Sequence, residues 1–102
     1  MILVRTVLQA TFGRGAEVAQ LAVEVDRRLA KETGWGGRWR VLTDLSGPFD
    51  TVVLETVVES LAAWERLRAE LFSQPAFRDA MPKLQELVQS GRAEYYTIEA
   101  ES

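Results

Sequence analysis

At 102 residues, with 47% hydrophobic and 26% charged side chains, the chain has the size and composition of one ordinary globular domain, which excludes a disordered, fibrous or membrane-embedded protein. A net charge of -3 with scattered basic residues offers no footprint for phosphate backbones, so no nucleic-acid partner is expected. With neither cysteine nor histidine, the chain has no disulfide, no thiolate nucleophile, no imidazole base and none of the usual zinc or haem ligands.

The chain opens on a strand. Residues from Ile2 to Thr11 alternate, with Ile2, Val4, Thr6, Leu8 and Ala10 on one face and Leu3, Arg5, Val7 and Gln9 on the other. The opening lacks the pattern of a secretion signal, and Arg5 and Gln9 keep it from spanning a bilayer, so a cytoplasmic setting with no membrane partner is expected. After Gly13 and Gly15, Val18, Leu21, Ala22, Val25 and Leu29 recur at helical spacing, with Glu17, Gln20, Glu24 and Arg28 facing away and Glu24–Arg28 spaced as an ion pair. Gly34 stands where a left-handed residue ends a helix.

Trp39 to Leu45 and Thr51 to Val58 flank the turn Ser46-Gly47-Pro48 and read as a hairpin. Ser60 is placed to cap a second helix, with Leu61, Trp64, Leu67, Leu71 and Phe72 on its buried side. Pro75 suits the start of a new helical segment, and Pro82 predicts a break or kink further on. Leu84, Leu87 and Val88 continue the apolar stripe, Ser90-Gly91 ends it, and Ala93 to Ile98 form the last strand.

The resulting order, β-α-β-β-α-β, is that of an α+β, ferredoxin-like domain over residues 1–102, with a four-stranded antiparallel sheet and its helices on one side. The second face of such a sheet is expected to be polar. Instead Val52, Val53 and Leu54 place apolar groups on both faces of an interior strand, and Leu3 and Val7 add to the uncovered one. Covering one such side chain is worth about 1.5–3 kcal/mol. The expectation is a homodimer joined through that face, where Arg5 would need an acidic or carbonyl partner.

Ser60-Leu61-Ala62-Ala63-Trp64-Glu65, Pro75-Ala76-Phe77-Arg78 and Leu87-Val88-Gln89-Ser90-Gly91 leading into Glu94-Tyr95-Tyr96 resemble the dimeric α/β barrel superfamily, and within it small NIPSNAP-like proteins. The resemblance implies a subunit whose sheet packs face to face with that of its partner. The superfamily includes cofactor-independent monooxygenases, haem-degrading enzymes and isomerases, but this chain lacks the histidine that haem-binding and several catalytic relatives use. Neither a cofactor nor a metal is expected.

By fold analogy, a ligand would lie between sheet and helices. Trp64, Phe72 and Phe77 either line such a space or fill the core. Arg38 and Arg40 either recognise an anionic or enolate group or pair with Glu55 or Asp50. Tyr95 and Tyr96 point to opposite faces, one toward the helix-side core and one toward the barrel interior, and a phenol there either supports an oxyanion or simply packs. Asp44 and Glu55 are carboxylates that desolvation would turn into bases. Trp35-Gly36-Gly37 is either a gate or a plain connector. Three functions fit: binding of a small, largely apolar molecule; cofactor-independent oxygenation or isomerisation; and a structural or regulatory role at an exposed surface. No catalytic residue is singled out.

Overall fold

A computed structural model describes residues 1–102. Its elements run β1 (Ile2–Ala10), α1 (Gly15–Thr33), β2 (Trp39–Thr43), β3 (Thr51–Val58), α2 (Leu61–Phe72), α3 (Pro75–Leu87) and β4 (Val88–Thr97). The strands form one antiparallel sheet in the order β2-β3-β1-β4, the ferredoxin-like arrangement expected from the element order.

Strand register decides which side chains share a face, because successive residues point to opposite sides. Val4 stands opposite Thr56, Thr6 opposite Leu54 and Leu8 opposite Val52. With Trp39 and Val41 of β2, these residues make the face that α1, α2 and α3 cover. Its tightest part is at one end, where Ala10, Val18, Val52 and Leu87 are all at most 1% exposed. The other face carries Leu3, Arg5, Val7 and Gln9 with their partners Val57, Glu55, Val53 and Thr51, and no element of the chain lies over it.

Across that bare face runs a row of alternating charge, one residue per strand: Arg40, Glu55, Arg5, Glu94. Arg5 Nε lies 3.0 Å from Glu55 Oε2, and its Nη1 lies 3.5 Å from Glu94 Oε1. Arg40 takes the other oxygen of Glu55, and Arg92 and the Tyr96 hydroxyl both donate to Glu94. The Arg92 guanidinium holds the Glu94 carboxyl below its ordinary range. Arg5 thus has the acidic partners that its position requires. A buried carboxylate gripped from both sides is costly to disturb, since removing either arginine would leave Glu55 partly unpaired.

Two helix starts are capped from far along the chain. The Asp50 carboxylate accepts from the backbone N–H of Gly13 at 2.8 Å and of Gly15 at 3.0 Å, closing the start of α1 with a negative charge. A Cβ on Gly15 would come within 2.8 Å of Asp50 Oδ1, so glycine is needed for this approach. Asp50 itself sits at φ 61°, an uncommon conformation for a residue with a side chain. At α3, Glu32 of α1 accepts from the Ala76 N–H at 3.1 Å, standing in for the Gln74 side chain, which makes no cap.

Several local expectations are met. Gly34 is left-handed at φ 71°, Ser60 accepts from the Ala63 N–H, and Pro75 opens α3. Four others are corrected. The second helical region breaks at Ser73-Gln74, and α3 runs on through Pro82, since a proline removes one backbone bond while Ala76, Ala80 and Leu87 keep the helix buried on both sides of it. The last strand begins at Val88, and Ser90-Gly91 lie inside it rather than ending the helix. Gly91 pairs with Leu8, whose side chain would crowd any Cβ there. Arg28 leaves Glu24 for Glu32 and Asp79, which join α1 to α3. Finally, α2 contains no buried residue, because its apolar side borders a cavity.

Replacing Asp50 by alanine removes both acceptors from the start of α1, with an expected loss of about 1–2 kcal/mol. Urea unfolding would show this as a lower midpoint at unchanged slope; an unchanged midpoint would mean that the cap contributes nothing.

Candidate functional site

α2 is amphipathic in sequence but has no packed sheet beneath it. Trp64, Leu67 and Leu71 share one face at helical spacing, yet all are only half-buried, while Leu61 and Phe72 are more than half exposed. All but Leu61 border a cavity of about 480 Å³, bounded by β1 and β3 below, α1 and α3 at the sides and α2 above. This explains why the expected burial of α2 fails: its apolar stripe borders a space rather than a core.

All three tryptophans of the chain, Trp35, Trp39 and Trp64, line this cavity. Trp35 is placed by the end of α1, where its N–H donates to Thr33 Oγ1 at 3.1 Å and its ring lies against the backbone of Gly37, leaving no room for a side chain there. Gly37 is therefore a seat for the indole. Phe72 stacks on Phe77 across the break between α2 and α3, with ring centroids 4.3 Å apart and planes 18° apart, and both rings border the same space.

The polar content of the wall is small. Thr56 is committed, its hydroxyl donating to the carbonyl of Arg38 at 2.7 Å. Glu55 contributes to the wall, but its carboxylate is held by Arg5 and Arg40 on the opposite face. Neither the Trp64 indole nor the Asp26 carboxyl has a partner. The Trp64 Nε1 is buried and finds no acceptor. Asp26 of α1 makes no hydrogen bond or ion pair, and burial among apolar neighbours pushes its carboxyl up to about 6. Its helical neighbours at three and four residues' distance are Val23, Leu29, Ala22 and Ala30, so α1 offers it no cation. A buried donor without an acceptor costs on the order of 1–3 kcal/mol, and an unpaired carboxylate more. Such groups gather where a protein handles a ligand or a proton.

Of the residues singled out in the sequence, the structure brings Trp64, Phe72 and Phe77 together on the cavity wall. It places Arg40 on the far side of the sheet in the charge row, and Arg38 just ahead of β2, exposed and without an ion-pair partner. Tyr95 is on the helix side of the edge strand β4 but 45% exposed, outside the cavity and not in the core, with its hydroxyl unbonded. Tyr96 lies on the bare face. Asp44 closes the hairpin by accepting from the Thr51 N–H at 3.0 Å. Asp26 was missed. The signal was present: it falls between Ala22 and Leu29 on the apolar stripe of α1, where a carboxylate has no structural purpose.

Asp26 makes stability depend on pH in a defined direction. Its folded-state pKa is raised above the unfolded value, so the folded form loses stability as pH rises from about 4 through about 6, by on the order of 2–3 kcal/mol. Asp26→Asn is expected to be more stable than the native chain by that amount at about pH 8 and equal to it near pH 4. Urea unfolding at both values checks this; equal stability at the higher one would show that Asp26 is solvated.

No family model matches the chain, and no curated protein matches it. Solved structures do. An uncharacterised NIPSNAP domain protein from Burkholderia xenovorans superposes with a TM-score of 0.82 over 98% of this chain and 96% of its own, at 16% identity. A NIPSNAP family protein from Agrobacterium tumefaciens gives 0.78 over 94% and 90%, at 17% identity. A protein from Deinococcus radiodurans, provisionally assigned as an antibiotic biosynthesis monooxygenase, gives 0.69 over 100% and 96%, at 21% identity. The chain therefore has the fold of the NIPSNAP-domain proteins, along its whole length and with little of their sequence.

Proposed function

We propose that this chain binds a small, largely apolar molecule in the cavity between sheet and helices, and that it does so as a homodimer joined through the bare face of the sheet. The observation that carries the binding reading is α2, a helix whose apolar side borders open space when it could have been packed. A cavity of about 480 Å³ falls within the range of ligand pockets, roughly 300–1,000 Å³. An unfilled apolar cavity costs stability, and an occupant restores the lost contacts.

Because all three tryptophans line the site, intrinsic fluorescence reports on it directly. Titration with N-phenyl-1-naphthylamine, a neutral apolar dye, should give saturable one-to-one quenching of tryptophan emission by energy transfer. Ala22→Phe, which extends a ring into the cavity from α1, should weaken that binding at least tenfold, the loss of about 1.4 kcal/mol. Absence of saturation in the native chain would end the proposal.

The dimer reading rests on the uncovered face. Leu3, Leu42 and Val57, half-buried in the single chain, surround the charge row there, and a second copy would cover both. Sedimentation velocity at about 50 µM should return twice the mass of one chain, and Leu42→Glu should shift it toward monomer by mass action. A native chain that sediments only as monomer would remove this part.

A second reading, proton-transfer catalysis in the same cavity, is favoured by one observation: Asp26 has a carboxyl raised toward neutral pH in an apolar site, as a general base requires. It gains some support from the likeness to the Deinococcus radiodurans protein. Under that reading the base is Asp26, since Asp44 closes the hairpin and Glu55 is held by Arg5 and Arg40.

A further inference from the structure

We propose that the occupant of the cavity is an organic cation, an amine carried on an apolar aromatic or alkyl body, with Asp26 as its counter-charge. This rests on the binding reading and specifies the ligand class. Three features of the wall point the same way. Asp26 is the one carboxylate of the lining that no arginine or lysine answers, since Glu55 is committed to Arg5 and Arg40. No lysine or arginine contributes to the wall at all, so nothing there offsets the negative charge. And the three indole rings of Trp35, Trp39 and Trp64 share the cavity, presenting the ring type that attracts cations most strongly.

Each feature also disfavours the alternatives. A carboxylate or phosphate ligand would meet an unpaired negative charge in a medium of low dielectric and find no donor cation. A neutral ligand would fill the apolar volume but leave Asp26 without a counter-charge. A protonated amine removes that cost with a charge-assisted hydrogen bond, while its body replaces the contacts missing beneath α2. The arginines of the bare sheet face take no part.

The experiment uses three probes with one body: 2-naphthylmethylamine, 2-naphthylmethanol and 2-naphthoate, titrated calorimetrically into the native chain and into Asp26→Asn at about pH 8. The amine should bind the native chain roughly 10–100-fold more tightly than the alcohol, the value of a charge-assisted contact, and the naphthoate more weakly than either. Asp26→Asn, which preserves shape, should abolish the preference for the amine over the alcohol. The inference is overturned if the alcohol binds as well as the amine, or if the preference survives Asp26→Asn and so arises from net charge. If none of the three compounds binds, the cavity-binding reading itself falls, and this inference with it.

Discussion

Both faces of this molecule depend on the register of β1. With Val4 opposite Thr56 on one side and Tyr95 on the other, Val4, Thr6 and Leu8 look toward the helices, and Arg5 sits between Glu55 and Glu94 on the bare face. A slip of one residue would exchange these sets, driving a guanidinium into the apolar cavity and turning the valine and leucine outward. The charge row is thus more than surface decoration. It is satisfied in one register only, and it lies at the centre of the sheet, where Glu55 is 7% exposed even in a single chain. Ion pairs of this kind add little net stability against apolar replacements, but they penalise the wrong alignment heavily. Here that alignment also defines the floor of the site.

Above that floor, the helices are fastened unevenly. α1 and α3 are joined to each other and to the hairpin by charged contacts: Asp50 at the start of α1, Glu32 at the start of α3, and Arg28 bridging to Asp79. α2 has a serine cap and an aromatic stack with α3, but no buried residue of its own. Local stability follows buried contact, so α2 is the helix the fold holds most loosely, and it is the one that roofs the cavity. Fixed walls with a lightly held roof suit a site that must admit a molecule otherwise enclosed.

How much of this could be read from the sequence follows from the range of the interactions. Alternation in β1, the helical spacing of Val18 to Leu29, the turn at Ser46-Gly47-Pro48 and the serine at Ser60 are local signals, and each placed its element within a few residues. The start of β4 was hidden because Val88 continues an apolar stripe and Gly91 reads as a terminator, when its true role is set by Leu8 on a strand some eighty positions earlier. Asp50 and Glu32 act as caps across 35 and 44 residues, so no capping motif announces them. The cavity was illegible for a related reason: an apolar stripe on α2 looks the same whether it meets a core or a space. Only Asp26 broke the pattern locally. Arg40, chosen for its chemistry, proved to belong to the opposite face, because strand parity and not residue type decides what a side chain can reach.

The strand order also governs when the molecule can become itself. β1 is central, paired with β3 on one edge and β4 on the other, yet it lies nearest the N-terminus of this chain, while β4 extends to Thr97. During synthesis this central strand therefore emerges ahead of both its partners and is enclosed only when β4 follows. Until then its two edges, and Val4 and Leu8, which will form the floor of the cavity, are open to any other strand nearby. Arg5, in the middle of that strand, is the charge that keeps a waiting edge soluble before it becomes the charge that fixes the register.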